Sequence, residues 1–413
     1  MLHRKIILAI ADGLGDRPHP DLNNLTPLEY AKRTNMDRLA AQGITGMVDL
    51  ISPGIPVGTD MGHLILFGYQ PTDYPGRGPI EALGVGMEVE PGDVVLRCNW
   101  ATVNDEGIVV DRRAGRIREG TTELAALLNG MKLDDHVQAF IQSATEHRAV
   151  LIIRGNGLSD QISDSDPHAP NDGHPYHEVK ALNDSEEARR TAYYLNLFLQ
   201  QSHALLKNHP VNIERMKQGK LPANFLITRG AGQAAHLEPM TTRMKIKGSC
   251  IAGESTVLGV AKLAGFDAIT DITMTGNIDT NIELKAKLAL EQNVSNDFVV
   301  VHMKAPDLKG HDADPLGKVY AIERFDEMVG LIADQLPEDT YLALAADHST
   351  PCEIGEHTGD PVPVLIYGPS LRRDRVTEYT EIECMYGGLG RLSGSQFVTT
   401  LHGLMGCVKK QGS

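Results

Sequence analysis

Cysteine is scarce and scattered: the five residues Cys98, Cys250, Cys352, Cys384 and Cys407 are odd in number and include no CxxC pair. This excludes a disulfide framework and a thiolate zinc site, and a reducing cytoplasm fits best. Long apolar runs are missing too, since no uninterrupted stretch approaches the ~20 residues needed to span a bilayer. Residues 1–11 join a basic head to an apolar run in the manner of a signal peptide. The run is too short, and Asp12 and Asp16 follow it without a small-residue cleavage pattern. It therefore reads as a buried first strand, and the chain as soluble. Positive charge is in deficit, with 39 Lys+Arg against 54 Asp+Glu and a formal net charge of −15. Non-specific binding of nucleic acid or of a membrane surface is disfavoured, and a small anionic substrate would need a local basic pocket. Repeats and low-complexity tracts are absent. What is present is ordinary globular material, 413 residues that are 41% hydrophobic and 23% charged, enough for two domains.

The pattern is α/β. Residues 6–10 form a continuous apolar strand signal, and Asp12-Gly13-Leu14-Gly15-Asp16 is the loop at its C-terminal end, where ligands gather in open α/β sheets. Thr26-Pro27-Leu28-Glu29 has capping-box spacing with proline at the first helical position, and Gly43 closes the helical stretch that follows. Residues 297–303 and 341–346 are further apolar strands ending in polar residues. Between them, residues 317–335 carry helical periodicity, so a right-handed βαβ crossover in a mainly parallel sheet is expected. Residues 361–367 read as another strand with its prolines at the start. Residues 76–219 differ in texture, mixing short strands, an arginine-rich stretch at 111–116 and a long polar loop at 159–177. They are expected to form a smaller α/β domain inserted into a core made of residues 1–75 and 220–413.

Four separated segments end a strand or open a helix with residues able to bind a divalent metal: Asp12; Thr59-Asp60; Asp307 with His311; and Asp347-His348 followed by His357. Carboxylate oxygens with imidazole nitrogens suit Mn²⁺ or Zn²⁺, or Mg²⁺ on the oxygen-rich side, and two metals are expected. Each residue alone could be a turn, a cap or a satisfied interior group. Together, directly after apolar strands, they are costly places for unpaired polar groups unless something binds them. Thr59 follows Gly54-Ile55-Pro56-Val57-Gly58 and precedes an apolar periodic run, which puts it at or just before a helix N-terminus. A phosphoryl group is favoured there, and metal coordination would activate the hydroxyl. Thr59 is also readable as an N-cap, and the two roles are compatible.

At these residues the sequence resembles the alkaline phosphatase superfamily, and within it the archaeal-type 2,3-bisphosphoglycerate-independent phosphoglycerate mutases, over nearly the whole chain. The segments that carry the resemblance begin with Asp12-Gly13-Leu14-Gly15-Asp16-Arg17, Ile51-Ser52-Pro53-Gly54 and Gly76-Arg77-Gly78-Pro79-Ile80-Glu81-Ala82. Residues 111–116, Thr145-Glu146-His147-Arg148, Pro222-Ala223-Asn224 and Arg229-Gly230 continue it. Lys304-Ala305-Pro306-Asp307 with Gly310-His311-Asp312, then Asp347-His348-Ser349-Thr350-Pro351-Cys352 and residues 357–363, complete it. The resemblance implies an alkaline-phosphatase-like core, a sheet between helices, with the inserted domain closing over a small phosphorylated substrate. It implies one metal held by Asp12, Thr59, Asp347 and His348, the other by Asp307, His311 and His357. The implied reaction interconverts 3-phosphoglycerate and 2-phosphoglycerate, without bisphosphoglycerate, through a phosphorylated Thr59. The family pattern has serine at this position, whereas threonine serves in other branches such as phosphodiesterases.

Arg113, Arg116, Arg148 and Arg229, with His147 beside them, are the candidates for substrate phosphate and carboxylate, because guanidinium forks match both groups bidentately. Surface salt bridges are their bland alternative. Asp160 and Asp164 are read as part of a gating loop that hydrogen-bonds glycerate hydroxyls, against plain polar decoration. Alternative functions with the same metals and nucleophile are a homoserine kinase, a phosphopentomutase or a phosphatase. A sulfatase is disfavoured by the nucleophile. A binding protein that has lost activity is disfavoured because all seven metal-ligand positions are filled.

Overall fold

A computed structural model describes residues 4–144, 146–168, 172–233 and 237–412. The basic head at residues 1–3, Thr145 of the resemblance and the centre of the 159–177 loop lie outside the described residues. The chain divides into two compact units, Met1–Tyr74 with Glu238–Ser413, and Pro75–Leu237.

The first unit is built on strands β1 (Lys5–Ala11) and β2 (Ile44–Asp49) from its first segment. From its second segment come β9 (Gly248–Ile251), β10 (Asp267–Ile269), β11 (Phe298–Met303), β12 (Thr340–Ala345), β13 (Val362–Tyr367) and β14 (Gly390–Ser393). They form one sheet in the order β10-β9-β11-β1-β12-β13-β2-β14. β1 is parallel to both neighbours, with Ile6 opposite Phe298 and Tyr341. Only β13 runs antiparallel within this sheet, against β12 and β2. The central strands are buried on both faces, which is why they read as unbroken Val/Ile/Leu/Ala runs. The helices Ile282–Ser295 and Pro315–Ala333 pack together and against β1, and Gly394–Met405, packed with Thr59–Leu66, also meets β1. The expected α/β core with a mainly parallel sheet between helices is what the chain forms.

Two expectations need correction, and a third holds. The capping box at Thr26 forms, but its helix Pro27–Tyr30 ends after one turn, and a second helix, Thr34–Ala40, carries the chain onward. Ala31 is extended at ψ 151°, and the Arg33 guanidinium is the device that holds the break, donating to the carbonyls of Leu28, Glu29 and Ala31. The prolines of β13 stand at its start as expected, Pro361 before it and Pro363 second in it. The β12 ladder starts only at Leu365, so the missing N–H costs no bond on that side. The other correction is the second boundary of the insert, which falls at 237 and not near 220, because residues 225–233 form a strand of the second unit.

That second unit holds β3 (Val94–Val103), β4 (Val109–Asp111), β5 (Met131–Lys132), β6 (Gln138–Ser143), β7 (Arg148–Arg154) and β8 (Phe225–Gln233). They pair as β4-β3-β7-β6-β5, with β8 also on β3, and every pairing is antiparallel. One face of β3, through Leu96, Cys98 and Trp100, enters a core with Phe198, Leu195 and Phe225. Among the described residues no helix is long and apolar enough to cross a membrane.

Candidate active site at the ends of three parallel strands

Asp12 follows β1, Asp347 and His348 follow β12, and the helix Ala305–His311, which carries Asp307 and His311, follows β11. Because β11, β1 and β12 are parallel neighbours, their C-terminal ends bring these residues together. Two glycines allow the approach. Gly13 adopts φ +62°, and a Cβ there would lie 2.6 Å from Thr350 Oγ1; its N–H reaches Asp347 Oδ1 at 3.2 Å. A Cβ on Gly62 would lie 2.5 Å from the Asp347 carbonyl, so glycine lets the helix Thr59–Leu66 run against the end of β12.

Thr59 is the first residue of that helix, and the N-cap is Gly58, so the reading of Thr59 as an N-cap is corrected. Its hydroxyl lies 3.1 Å from Lys304 Nζ and 3.3 Å from His348 Nε2. Lys304 also reaches Asp12 Oδ1 at 3.0 Å and Asp307 Oδ2 at 2.6 Å. Burial opposes its charge, but Asp12, Asp307 and Asp347 outweigh burial and raise it well above the usual lysine range. It stays an ammonium. Burial likewise opposes ionisation of Asp12, yet Lys304 and hydrogen bonds from His302 and His348 hold its carboxyl well below the usual range. Asp307 behaves the same way, burial being overcome by His357 and Lys304. Lys304, His302, His63 and Thr350 were not assigned roles from sequence. The available signals were a lysine directly after a strand and a histidine inside an otherwise apolar one.

The hydrogen bonds fix how each histidine presents its lone pair. Thr350 Oγ1 gives its proton to Asp307 Oδ1 at 2.6 Å and must therefore accept from His348 Nδ1 at 3.1 Å. With Nδ1 committed to Thr350, His348 turns Nε2 toward Asp12 Oδ1 at 3.3 Å and Asp347 Oδ2 at 3.2 Å. His311 Nδ1 donates to the Gly355 carbonyl and His357 Nδ1 to the Val57 carbonyl, both at 2.8 Å. Their Nε2 atoms face each other at 3.2 Å, each 3.4 Å from Asp307 Oδ1. Lone pairs so placed repel unless a proton or a cation lies between them. Burial disfavours charge on His357, but Asp307 overrides it and raises the ring's affinity for a proton, so the pocket favours positive charge. Asp347 Oδ2 is buried and accepts no hydrogen bond. With three buried carboxylates and one lysine contacting two of them, the donor set fits divalent cations.

The full length of the chain aligns with a 2,3-bisphosphoglycerate-independent phosphoglycerate mutase from Methanopyrus kandleri, 46% identical and covering 99% of that protein. The chain belongs to the 2,3-bisphosphoglycerate-independent phosphoglycerate mutase family. The family's sequence profile matches residues 40–212. Among solved structures, a protein from Pyrococcus horikoshii superposes with a TM-score of 0.86 at 38% identity over all of both chains. A cofactor-independent phosphoglycerate mutase from Thermoplasma acidophilum superposes with a TM-score of 0.76 at 34% identity, over 97% of this chain and all of that one.

The candidate substrate residues of this family member lie in the second unit. Arg148 opposes Asn99 on β3 and Arg229 opposes Arg97, so both share the sheet face of Arg97. His147 is buried, and among the described residues its Nδ1 makes no hydrogen bond, lying 3.9 Å from Glu146 Oε2. Burial, and then the positive charges of Arg148 and Arg113 with a smaller effect of Arg116, lower its proton affinity. Asp160 and Asp164 are differently placed. Asp164 accepts from the Gly230 N–H at 2.9 Å and pairs with His168, while Asp160 accepts from the Gln233 N–H at 3.2 Å and from the Gln161 side chain. Ser165 and Asp166 bond Thr228 through their N–H groups, and Asp166 forms a buried bidentate pair with Arg112. The described part of the loop is thus laced to β8. A gating movement would have to break those bonds.

Proposed function

We propose that this chain is an isomerase that interconverts 3-phosphoglycerate and 2-phosphoglycerate, without bisphosphoglycerate, by way of a phosphoryl group carried on Thr59. The observation that carries the reading is the Thr59 hydroxyl at the first turn of a helix, within 3.3 Å of both Lys304 Nζ and His348 Nε2. Asp12, Thr59, Asp347 and His348 would hold one divalent ion, and Asp307, His311 and His357 the other. Such ions, Mn²⁺ or Zn²⁺ by donor type and Mg²⁺ on the oxygen-rich side, would supply Lewis acidity to the hydroxyl and neutralise phosphoryl oxygens.

In the first half-reaction Thr59 Oγ1 bonds to phosphorus as the bond from phosphorus to glycerate O3 breaks. The proton lost by the threonine is matched by the one gained at O3. Lys304 donates to the threonine oxygen throughout, stabilising negative charge on it, and the helix N-terminus adds its dipole to the transferring group. In the second half-reaction glycerate O2 bonds to phosphorus as the bond from phosphorus to Thr59 Oγ1 breaks, and the proton lost at O2 is matched by the one Thr59 regains. Arg113, Arg116 and Arg148, with Arg229, are proposed to take up the phosphate and carboxylate of the substrate.

The test is phosphorus NMR of Mn²⁺-activated, then metal-diluted protein given 3-phosphoglycerate with no bisphosphoglycerate. A 2-phosphoglycerate resonance that disappears with chelator is the expected result. Inorganic phosphate alone would mean that water is the acceptor. Turnover of homoserine or a pentose phosphate in a parallel panel, with phosphoglycerate untouched, would move the assignment to another transferase.

A further inference from the structure

His302 stands behind the donors that face Thr59. It is fully buried in β11, with Nε2 2.8 Å from Asp12 Oδ2. An ionised carboxylate can only accept, so His302 Nε2 carries a proton and offers no lone pair on that side. Asp12, His63 and His302 are close enough to suggest a third cation site. The proton on Nε2 argues against it, because the ring nitrogen nearest Asp12 is a donor.

The two oxygens of Asp12 are thereby divided. Oδ2 is turned back to His302, while Oδ1 lies 3.0 Å from Lys304 Nζ and 3.3 Å from His348 Nε2. The ring that makes this division is held from two sides. Lys285 Nζ donates to the His302 carbonyl at 2.7 Å, pinning the strand at that residue. His63 meets the ring edge to face at 5.0 Å between centroids, and is itself held by Nδ1 donating to the Thr59 carbonyl at 2.8 Å. No other side-chain donor reaches Asp12 Oδ2 among the described residues.

We infer that His302 is a positioning residue: its Nε2 proton fixes Asp12 Oδ2, so that Oδ1 alone is presented to the metal shared with Thr59, Asp347 and His348. The inference rests on the metal reading of the site given above. An outer donor of this kind is worth about 10- to 100-fold in metal affinity.

The experiment is a Co²⁺ titration of metal-free full-length protein, followed by the visible d–d absorption, on the wild type and on His302→Leu, His302→Asn and His302→Gln. Glutamine can place an amide N–H near the position of Nε2, whereas asparagine reaches only that of Nδ1, and leucine has no donor. The expected result is two uptake steps in the wild type, with one step weakened about 10- to 100-fold in the leucine and asparagine variants and restored to within a few-fold by glutamine. The other step, on Asp307, His311 and His357, should be unchanged and reports that the fold is intact. Wild-type affinities for both steps in the leucine and asparagine variants would overturn the inference. So would an equal fall of both steps in all three, which is the mark of a packing role; if leucine does not fold, the asparagine and glutamine pair still decides. A wild type that takes up no cobalt would remove the metal reading itself, and this inference with it.

Discussion

At the scale of single residues, the strongest consequence concerns the Thr59 hydroxyl. Thr59→Ala removes the atom proposed to carry the phosphoryl group and should lower kcat to background, whereas Thr59→Ser keeps the oxygen, sheds a β-branch methyl, and should retain or raise it. Acid quenching with ³²P-labelled 3-phosphoglycerate should label the peptide holding Gly58-Thr59-Asp60 in the serine and threonine forms only; ordinary turnover by the alanine variant would remove Thr59 from the chemistry. The residues gathered here were legible to different degrees. Asp12, Asp347 and His348 stood out because a polar residue directly after a doubly buried strand needs a partner, and Thr59 because glycine and proline give way to a helix beside it. Lys304 was printed in the same stretch of sequence, but nothing local says that its ammonium turns back to Asp12 on another strand. That fact belongs to the strand order, which periodicity does not contain. His302 looked like core because it is core, and its function lies in one proton that only the opposing carboxylate reveals.

At the scale of elements, hydrogen-bond partners weigh on readings that composition leaves open. The aspartates of the polar loop suggested a gate, yet Asp160 and Asp164 are occupied by backbone N–H groups of β8. Asp160→Ala and Asp164→Ala should therefore keep kcat within a few-fold and lower unfolding free energy by about 1 kcal/mol each, measured by urea titration. A loss of turnover at unchanged stability would restore the gating role. A pH effect belongs to the short helix Glu381–Cys384. Burial pushes the Glu381 carboxyl up to about 7 against the opposing hydrogen bond from Thr26, and Oε1 has no partner. Between its ordinary value of 4.5 and about 7 the folded protein keeps a proton that the unfolded chain has lost, so stability falls as pH rises through that window and is level above it. Glu381→Gln should match the wild type near pH 4.5 and exceed it at pH 8 by on the order of 2 kcal/mol. Equal unfolding midpoints at pH 8 would show that the carboxylate is solvated when charged.

At the scale of the whole molecule, the candidate metal donors fall in one of the two units. Every group of donors close enough to share an ion, among the described residues, lies in Met1–Tyr74 with Glu238–Ser413. A bound ion at 100 times its dissociation constant adds about 2.7 kcal/mol to whatever it binds. Chelation should therefore speed hydrogen exchange in β1, β11 and β12 while leaving β3, β7 and β8 at their former rates, as read by mass spectrometry. Uniform change across both units would mean that they unfold as one. The interrupted connectivity of that unit also bears on its biosynthesis. β1, central in its sheet, has its partners beginning at Phe298 and Thr340, the nearer of them roughly 290 residues downstream. At ribosomal rates of about 5–20 residues per second, the segment Lys5–Ala11 waits on the order of 15 to 60 s before either neighbour exists. Pro75–Leu237 is complete well before then, so the domain written second in the sequence is free to fold first. Throughout that interval a bare apolar strand must be kept from other nascent chains, an exposure that Lys5–Ala11 bears and the strands of the second unit do not.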